Sequence, residues 1–162
     1  MRFVGSGLLK TRTRGLPVAS LPAYRLAKEQ CMAIKYYPSR GEILFCDFEQ
    51  GGFVKPEMVK NRPVVVVSRR TGGQTCTVVP ISGTEPEQNK PWHVLLSDGA
   101  LPGAWATRTL WAKCDMVTSV GYFRLDRLKT RVNGKRVWQS KQMNRKDLDA
   151  VIIGIRSALA IE

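Results

Sequence analysis

Arg62-Pro63-Val64-Val65-Val66-Val67-Ser68 is the stretch on which the fold turns. Four consecutive valines, opened by a proline at the first position, read as a short buried β-strand. Working outward, residues 42–48 (EILFCDF) are rich in aromatic and β-branched types and read as a preceding strand. Residues 75–81 supply a third and residues 93–96 a fourth, while 110–117 and the stretch around Gly121-Tyr122 suggest one or two more. Short strands at this spacing, separated by turn residues, predict a mainly β protein built on a small barrel-like sheet.

Two further elements follow. Asn133-Gly134 lies between Thr130-Arg131-Val132 and Lys135-Arg136-Val137. It is a strong signal for a type I′ hairpin, because both central residues of that turn need positive φ. The alternation places Arg131 and Arg136 among exposed side chains, where they either touch phosphates or keep a sheet edge soluble. A C-terminal helix is expected over about 144–160, with Asn144 as its cap and Asp147 at the third helical position. Its apolar stripe is Leu148, Val151, Ile152, Ile155 and Leu159, expected to pack on the sheet. Residues 1–34 mix Arg, Gly, Ser and Pro without sustained periodicity and read as a weakly ordered basic extension. Residues 35–162 read as one domain, with the basic hairpin at about 123–143. The extension is Arg-rich and acid-poor like an organelle transit peptide, yet Met32 itself opens a self-sufficient domain sequence; no function is assigned to it.

The chain of 162 residues carries 26 Lys+Arg against 13 Asp+Glu, a formal net charge of +13. Residues 1–40 hold +7 and residues 123–143 hold +6, whereas 41–122 and 144–162 balance to zero. An excess so localised points to a polyanion, nucleic acid before an acidic membrane surface. Apolar runs such as 64–67 and 150–153 fall far short of the roughly 18 to 20 residues that span a bilayer. Neither a transmembrane helix nor a membrane partner is therefore expected. Cys31, Cys46, Cys76 and Cys114 form no CxxC pair and have no histidine at ligand spacing, which argues against structural zinc. With no secretory apolar core, a reduced, cytoplasmic protein is expected.

Nucleophile, P-loop and metalloprotease motifs are all lacking in the sequence. The single histidine, His93, opens an apolar strand and reads as structural or partly exposed rather than catalytic. More informative are polar residues beside strands. Arg62 sits at a strand mouth, where a fixed guanidinium can bind phosphate through two hydrogen bonds, or else pair with Glu57 across the loop. Ser82 follows the apolar strand TVVPI and is either a site hydroxyl or a turn residue. Lys113-Cys114-Asp115 interrupts another apolar run with opposite charges, and the two ends either act in a site or pair with each other.

The blocks Gly41-Glu42-Ile43, Asp47-Phe48, Pro56-Glu57, Arg62 to Ser68, and Val79-Pro80-Ile81-Ser82 together resemble the PemK/MazF family of toxin–antitoxin ribonucleases. The likeness spans about 39–120, extends loosely through the terminal helix, and leaves 1–31 and 123–143 uncovered. It implies a small SH3-like, PemK-type antiparallel barrel with a C-terminal helix. It further implies a homodimer that cleaves single-stranded RNA, needs no metal or cofactor, is silenced by a cognate antitoxin, and binds DNA as the toxin–antitoxin complex.

By the same resemblance, Arg62 and Ser82 belong to the active site, with Ser82 standing where threonine is more usual. Lys113-Cys114-Asp115 resembles the Arg-Cys-Asp of one branch, in which arginine and aspartate act as acid and base. Asp115 carries over as base, while Lys113 keeps the charge and lacks the guanidinium fork. That branch's histidine beside the loop glutamate has no counterpart, the position being Pro56. Glu57, Arg131 and Arg136 are the candidate RNA-supporting residues. The 2′-hydroxyl of RNA is the nucleophile of such chemistry, so 2′,3′-cyclic phosphate and 5′-hydroxyl ends are expected and DNA should not be cut. The alternative is an SH3-like barrel that binds nucleic acid, or poisons gyrase as CcdB toxins do, without cleaving.

Overall fold

The computed structural model describes residues 34–49, 52, 54–68 and 72–161; the basic extension and Cys31 lie outside them, save for Ile34. Among the described residues, eight strands build one antiparallel sheet. They are β1 (Glu42–Cys46), β2 (Arg62–Val66), β3 (Thr75–Ser82), β4 (His93–Leu95), β5 (Trp111–Lys113), β6 (Thr118–Gly121), β7 (Leu125–Asp126) and β10 (Lys141–Gln142). β8 (Leu128–Val132) and β9 (Lys135–Gln139) form a separate hairpin, and α1 (Arg145–Ala158) closes the chain. The main path runs β10-β1-β2-β3-β5-β4, with β7 on β1 and β6 on β3. Its ends, β10 and β4, do not pair, so the sheet is barrel-like but open.

The valine run lacks polar alternation because β2 is covered on both faces. Val65, with Ile43 of β1 and Val79 and Ile81 of β3, faces a core that includes Leu101, Leu110 and Val151 of α1. Val64 and Val66, with Leu44 and Val78, face a second core that includes Phe48 and Leu125. Each fully buried valine contributes about 1.5 to 3 kcal/mol, and β2 supplies three of them.

The apolar run at 110–117 is broken into two strands, and the partner strand gives the reason. β3 pairs with β6 through Thr75 to Val78 and with β5 through Ile81 and Ser82, leaving Val79 and Pro80 between them. Proline has no N–H to continue the ladder on that side. Opposite the gap the chain leaves the sheet as a 3₁₀ turn, Cys114–Met116, which carries Asp115 outward.

α1 is pinned at its start. Asn144 Oδ1 accepts from the Asp147 amide at 2.8 Å, and Asn144 Nδ2 donates back to Asp147 Oδ2 at 2.9 Å. The Asp147 carboxylate is buried and also accepts from Ser97 N at 3.1 Å and Ser97 Oγ at 2.7 Å. Val151 is buried, and Leu148 and Ile155 pack beside it, whereas Leu159, at the end of the stripe, is exposed. Gly154 lets the helix lie close: a Cβ there would stand 2.8 Å from Cys114 Sγ and 2.9 Å from Val94 Cγ2. The helix thus buttresses the turn that holds Asp115.

Replacing Asp147 by Ala strands the Ser97 amide and hydroxyl. We expect a loss of about 2 to 3 kcal/mol in urea denaturation, against under about 0.5 kcal/mol for the exposed control Asp149→Ala.

Candidate active site

Arg62 begins β2 and Ser82 ends β3, and the antiparallel register sets them side by side at one end of the sheet. Arg62 Nη1 donates to Ser82 Oγ at 3.4 Å, and Arg62 Nε points to Met58 Sδ at 3.1 Å. Both partners are neutral. Glu57 does not pair with Arg62; its Oε2 accepts from Val54 N at 3.0 Å within its own loop. Among the described residues no carboxylate neutralises the guanidinium, which is fixed in place and half-buried. Ser82 is buried, and its Oγ also accepts from Thr84 N at 3.1 Å. The Ser82 hydroxyl lies against the guanidinium and supports it.

Lys113 ends β5 and stands near Arg62. Burial lowers the pKa of its ammonium, Asp115 opposes that shift, and the Arg62 charge adds to it. Asp115, on the 3₁₀ turn, forms no ion pair with Lys113; its Oδ2 lies 3.7 Å from Nε2 of His93. His93 is the cross-strand partner of Lys113 in the β4–β5 ladder, which makes Asp115 its diagonal neighbour. Its Nδ1 lies 3.0 Å from the Gln88 carbonyl, and its backbone N–H donates to Lys90 O at 2.9 Å. The loop before β4 therefore grips the ring.

The Asp115 carboxylate opens on a cleft of about 430 Å³ walled by Phe48, Pro56, Glu57, Met58 and Met116. Met58 is shared: it lines this cleft and touches Arg62. Arg62, Ser82, Lys113 and Asp115 are thus gathered, with Glu57 on the cleft rim. Arg131 and Arg136 are not among them, because the hairpin is a separate sheet whose contacts run to β1 and to the 3₁₀ turn Gly103–Trp105. His93 read in the sequence as structural or partly exposed; its place beside Asp115 follows from the pairing of residues 93 and 113, which only the register reveals.

Burial pushes the thiols of Cys46 and Cys114 up to about 12 and that of Cys76 to about 11, so none serves as a thiolate nucleophile. No group of three His, Cys, Asp or Glu among the described residues is placed to hold a metal ion, and no helix among them is long and apolar enough to cross a membrane.

This architecture defines the class first: the open, barrel-like antiparallel sheet with a C-terminal helix found in toxins of the MazF type. It superimposes on MazF of Deinococcus radiodurans with a TM-score of 0.54 at 17% identity, covering 78% of this chain and 99% of that one. A mycobacterial endoribonuclease solved with its cognate antitoxin gives a TM-score of 0.53 at 16% identity, covering 78% and 98%. YifN of Escherichia coli K12 is 34% identical over 117 residues, 61% of this chain and 78% of that one. The family described as PemK-like, MazF-like toxin of type II toxin-antitoxin system matches residues 39–158, through the hairpin and the helix. The chain belongs to that family.

With Cys31 replaced by Ser, the native protein at pH 8 should leave a thiol reagent unconsumed over minutes. Cys46, Cys76 and Cys114 should then titrate together once it is denatured; a fast-reacting thiol in the native state would contradict the burial described above.

Proposed function

We propose that this toxin-family protein is an endoribonuclease that cleaves single-stranded RNA through the RNA's own 2′-hydroxyl, without a metal. The observation that carries the reading is Arg62: a guanidinium held by two neutral groups, with no anion of its own, beside a second cation, Lys113, that is itself near the Asp115 carboxylate. A cation held in that state is complementary to a phosphorane, whose charge it meets without reorganisation.

In this reading the 2′-hydroxyl loses its proton on the Asp115 side. The 2′-oxygen then bonds to phosphorus and the bond from phosphorus to the 5′-oxygen breaks. Lys113, eased toward losing its proton by burial and by Arg62, protonates the leaving oxygen. The products are a 2′,3′-cyclic phosphate and a 5′-hydroxyl. Ser82 orients Arg62, and Glu57 shapes the cleft rim.

The hairpin supports RNA capture at a distance. Asn133 and Gly134 take φ of 50° and 76°, giving the tight turn, and Arg131 lies directly opposite Arg136. Both are exposed, and Trp138, also exposed, stacks with Lys129. Like charges paired across a ladder are relieved by a phosphate. The physiological setting that fits is a cytoplasmic homodimer acting on mRNA and held in check by an antitoxin, with DNA binding belonging to that complex.

Purified protein in excess EDTA should cut a long single-stranded RNA and leave the matching DNA intact, with cyclic phosphate ends by mass spectrometry. Arg62→Ala should lower the rate at least 100-fold. Intact RNA that is still bound would instead favour the non-cleaving binding toxin. In a separate titration, Arg131→Ala and Arg136→Ala should each reduce the slope of log affinity against log salt by about 0.7 on single-stranded RNA.

A further inference from the structure

Two proton-handling groups, Asp115 on the cleft wall and His93 beside it, lie together, and the hydrogen bonds distinguish them. A backbone carbonyl can only accept, so the contact with Gln88 O places the hydrogen of neutral His93 on Nδ1. That leaves Nε2 with a lone pair, and Nε2 is the atom turned toward Asp115 at 3.7 Å. This separation is too long for a direct hydrogen bond. It is short enough for one oxygen atom, seated at the apex of a triangle, to lie within about 2.8 Å of both groups. An RNA 2′-hydroxyl at that apex has one proton to give and two acceptors in reach.

Resting on the ribonuclease reading and sharpening it, we propose that His93 is the catalytic base, taking the 2′-hydroxyl proton on Nε2, with Asp115 as the carboxylate that receives the resulting imidazolium. As the proton moves to Nε2, the 2′-oxygen bonds to phosphorus and the 5′-oxygen departs with a proton from Lys113; solvent later returns both groups to their starting states. The ion pair between His93 and Asp115 forms only as the proton is transferred, so its attraction favours the transition state over the bound substrate. Two groups 3.7 Å apart sit on one side of an in-line displacement, which leaves the leaving-group side to another donor.

The ring is built for this task. Its side chain is mostly covered, at 13% exposure, while Asp115 remains 40% exposed to the cleft. Gln88 fixes the tautomer and Trp92 packs edge-on beside the imidazole, with ring centroids 6.2 Å apart. Among the described residues, Asp115 from the 3₁₀ turn and Lys113 from β5 are the charged groups placed beside it.

The test is single-turnover cleavage of a long single-stranded RNA from pH 5 to 8 by the full chain, His93→Gln and His93→Ala. Affinity for the uncleavable 2′-O-methyl form of the same RNA and thermal melting are measured in parallel. We expect His93→Gln to lose about 100- to 10,000-fold in rate, with affinity within about twofold, and to lose the wild-type decline toward acid pH that marks a neutral imidazole base. Added imidazole should restore part of the activity of His93→Ala. A His93→Gln enzyme within about threefold of wild type, with the same pH profile, would overturn the proposal and return the base role to Asp115 with the ribonuclease intact. Should the Gln variant melt early or bind poorly, imidazole decides: rescue of His93→Ala supports the base, and no rescue removes it. A wild-type protein that leaves RNA whole would end both the proposal and the reading beneath it.

Discussion

Burial of β1, β2 and β3 on both faces is the constraint on which the rest of the molecule depends. A strand covered on one side can place polar groups along its open face; a strand covered on both can place them only at its ends. Ile43, Val65, Val79 and Ile81 fill one core and Leu44, Val64, Val66 and Val78 the other. Arg62 and Ser82 are accordingly found where β2 begins and β3 ends, and the antiparallel register brings those ends together. The site is therefore a consequence of the core: the hydrophobic interior expels the polar residues to one rim and holds their backbones rigid there.

Pro80 gives the rim its asymmetry. A residue with an N–H at that position could carry the ladder on from β5 to β6, and Asp115 would then lie in a strand. The missing donor uncouples the two segments, and the intervening 3₁₀ turn lifts the carboxylate toward β4 and His93. α1 holds the turn in place through the Gly154 contact with Cys114. Helix packing at 2.8 to 2.9 Å to an added methyl leaves no slack, so the position of Asp115 is coupled to how tightly the helix docks.

Much of this was legible from residue types with local consequences. The valine run announced a buried strand, Asn133-Gly134 a turn with two positive φ values, and Asn144 with Asp147 a capped helix start. What the sequence hid depends on contacts between distant residues. Glu57 and Arg62 looked like natural partners, five residues apart, yet each bonds elsewhere because the loop turns the carboxylate back on Val54. Ser82 read as either a site hydroxyl or a turn residue, and its burial at the close of β3 against Arg62 has no local signature. His93 read as a lone histidine at a strand start; its partner is 22 residues away in the sequence and beside it only through the β4–β5 register. Asp147 read as the third helical residue behind the Asn144 cap, and its tie to Ser97, fifty residues away, has no local signature.

The charge is distributed unevenly between the strand region and the hairpin. Residues 41–122, which supply Arg62, Ser82, His93, Lys113 and Asp115, are neutral overall, while 123–143 carry +6. A site that binds ground state and transition state equally well leaves the barrier between them unchanged. In the proposed reading, the excess on a hairpin with its own turn serves many weak phosphate contacts along a polymer, and the Arg62–Lys113 pair beside the cleft is left to meet a single phosphate. Salt then acts chiefly on the hairpin's diffuse attraction, which is screened over about 8 to 10 Å at physiological ionic strength.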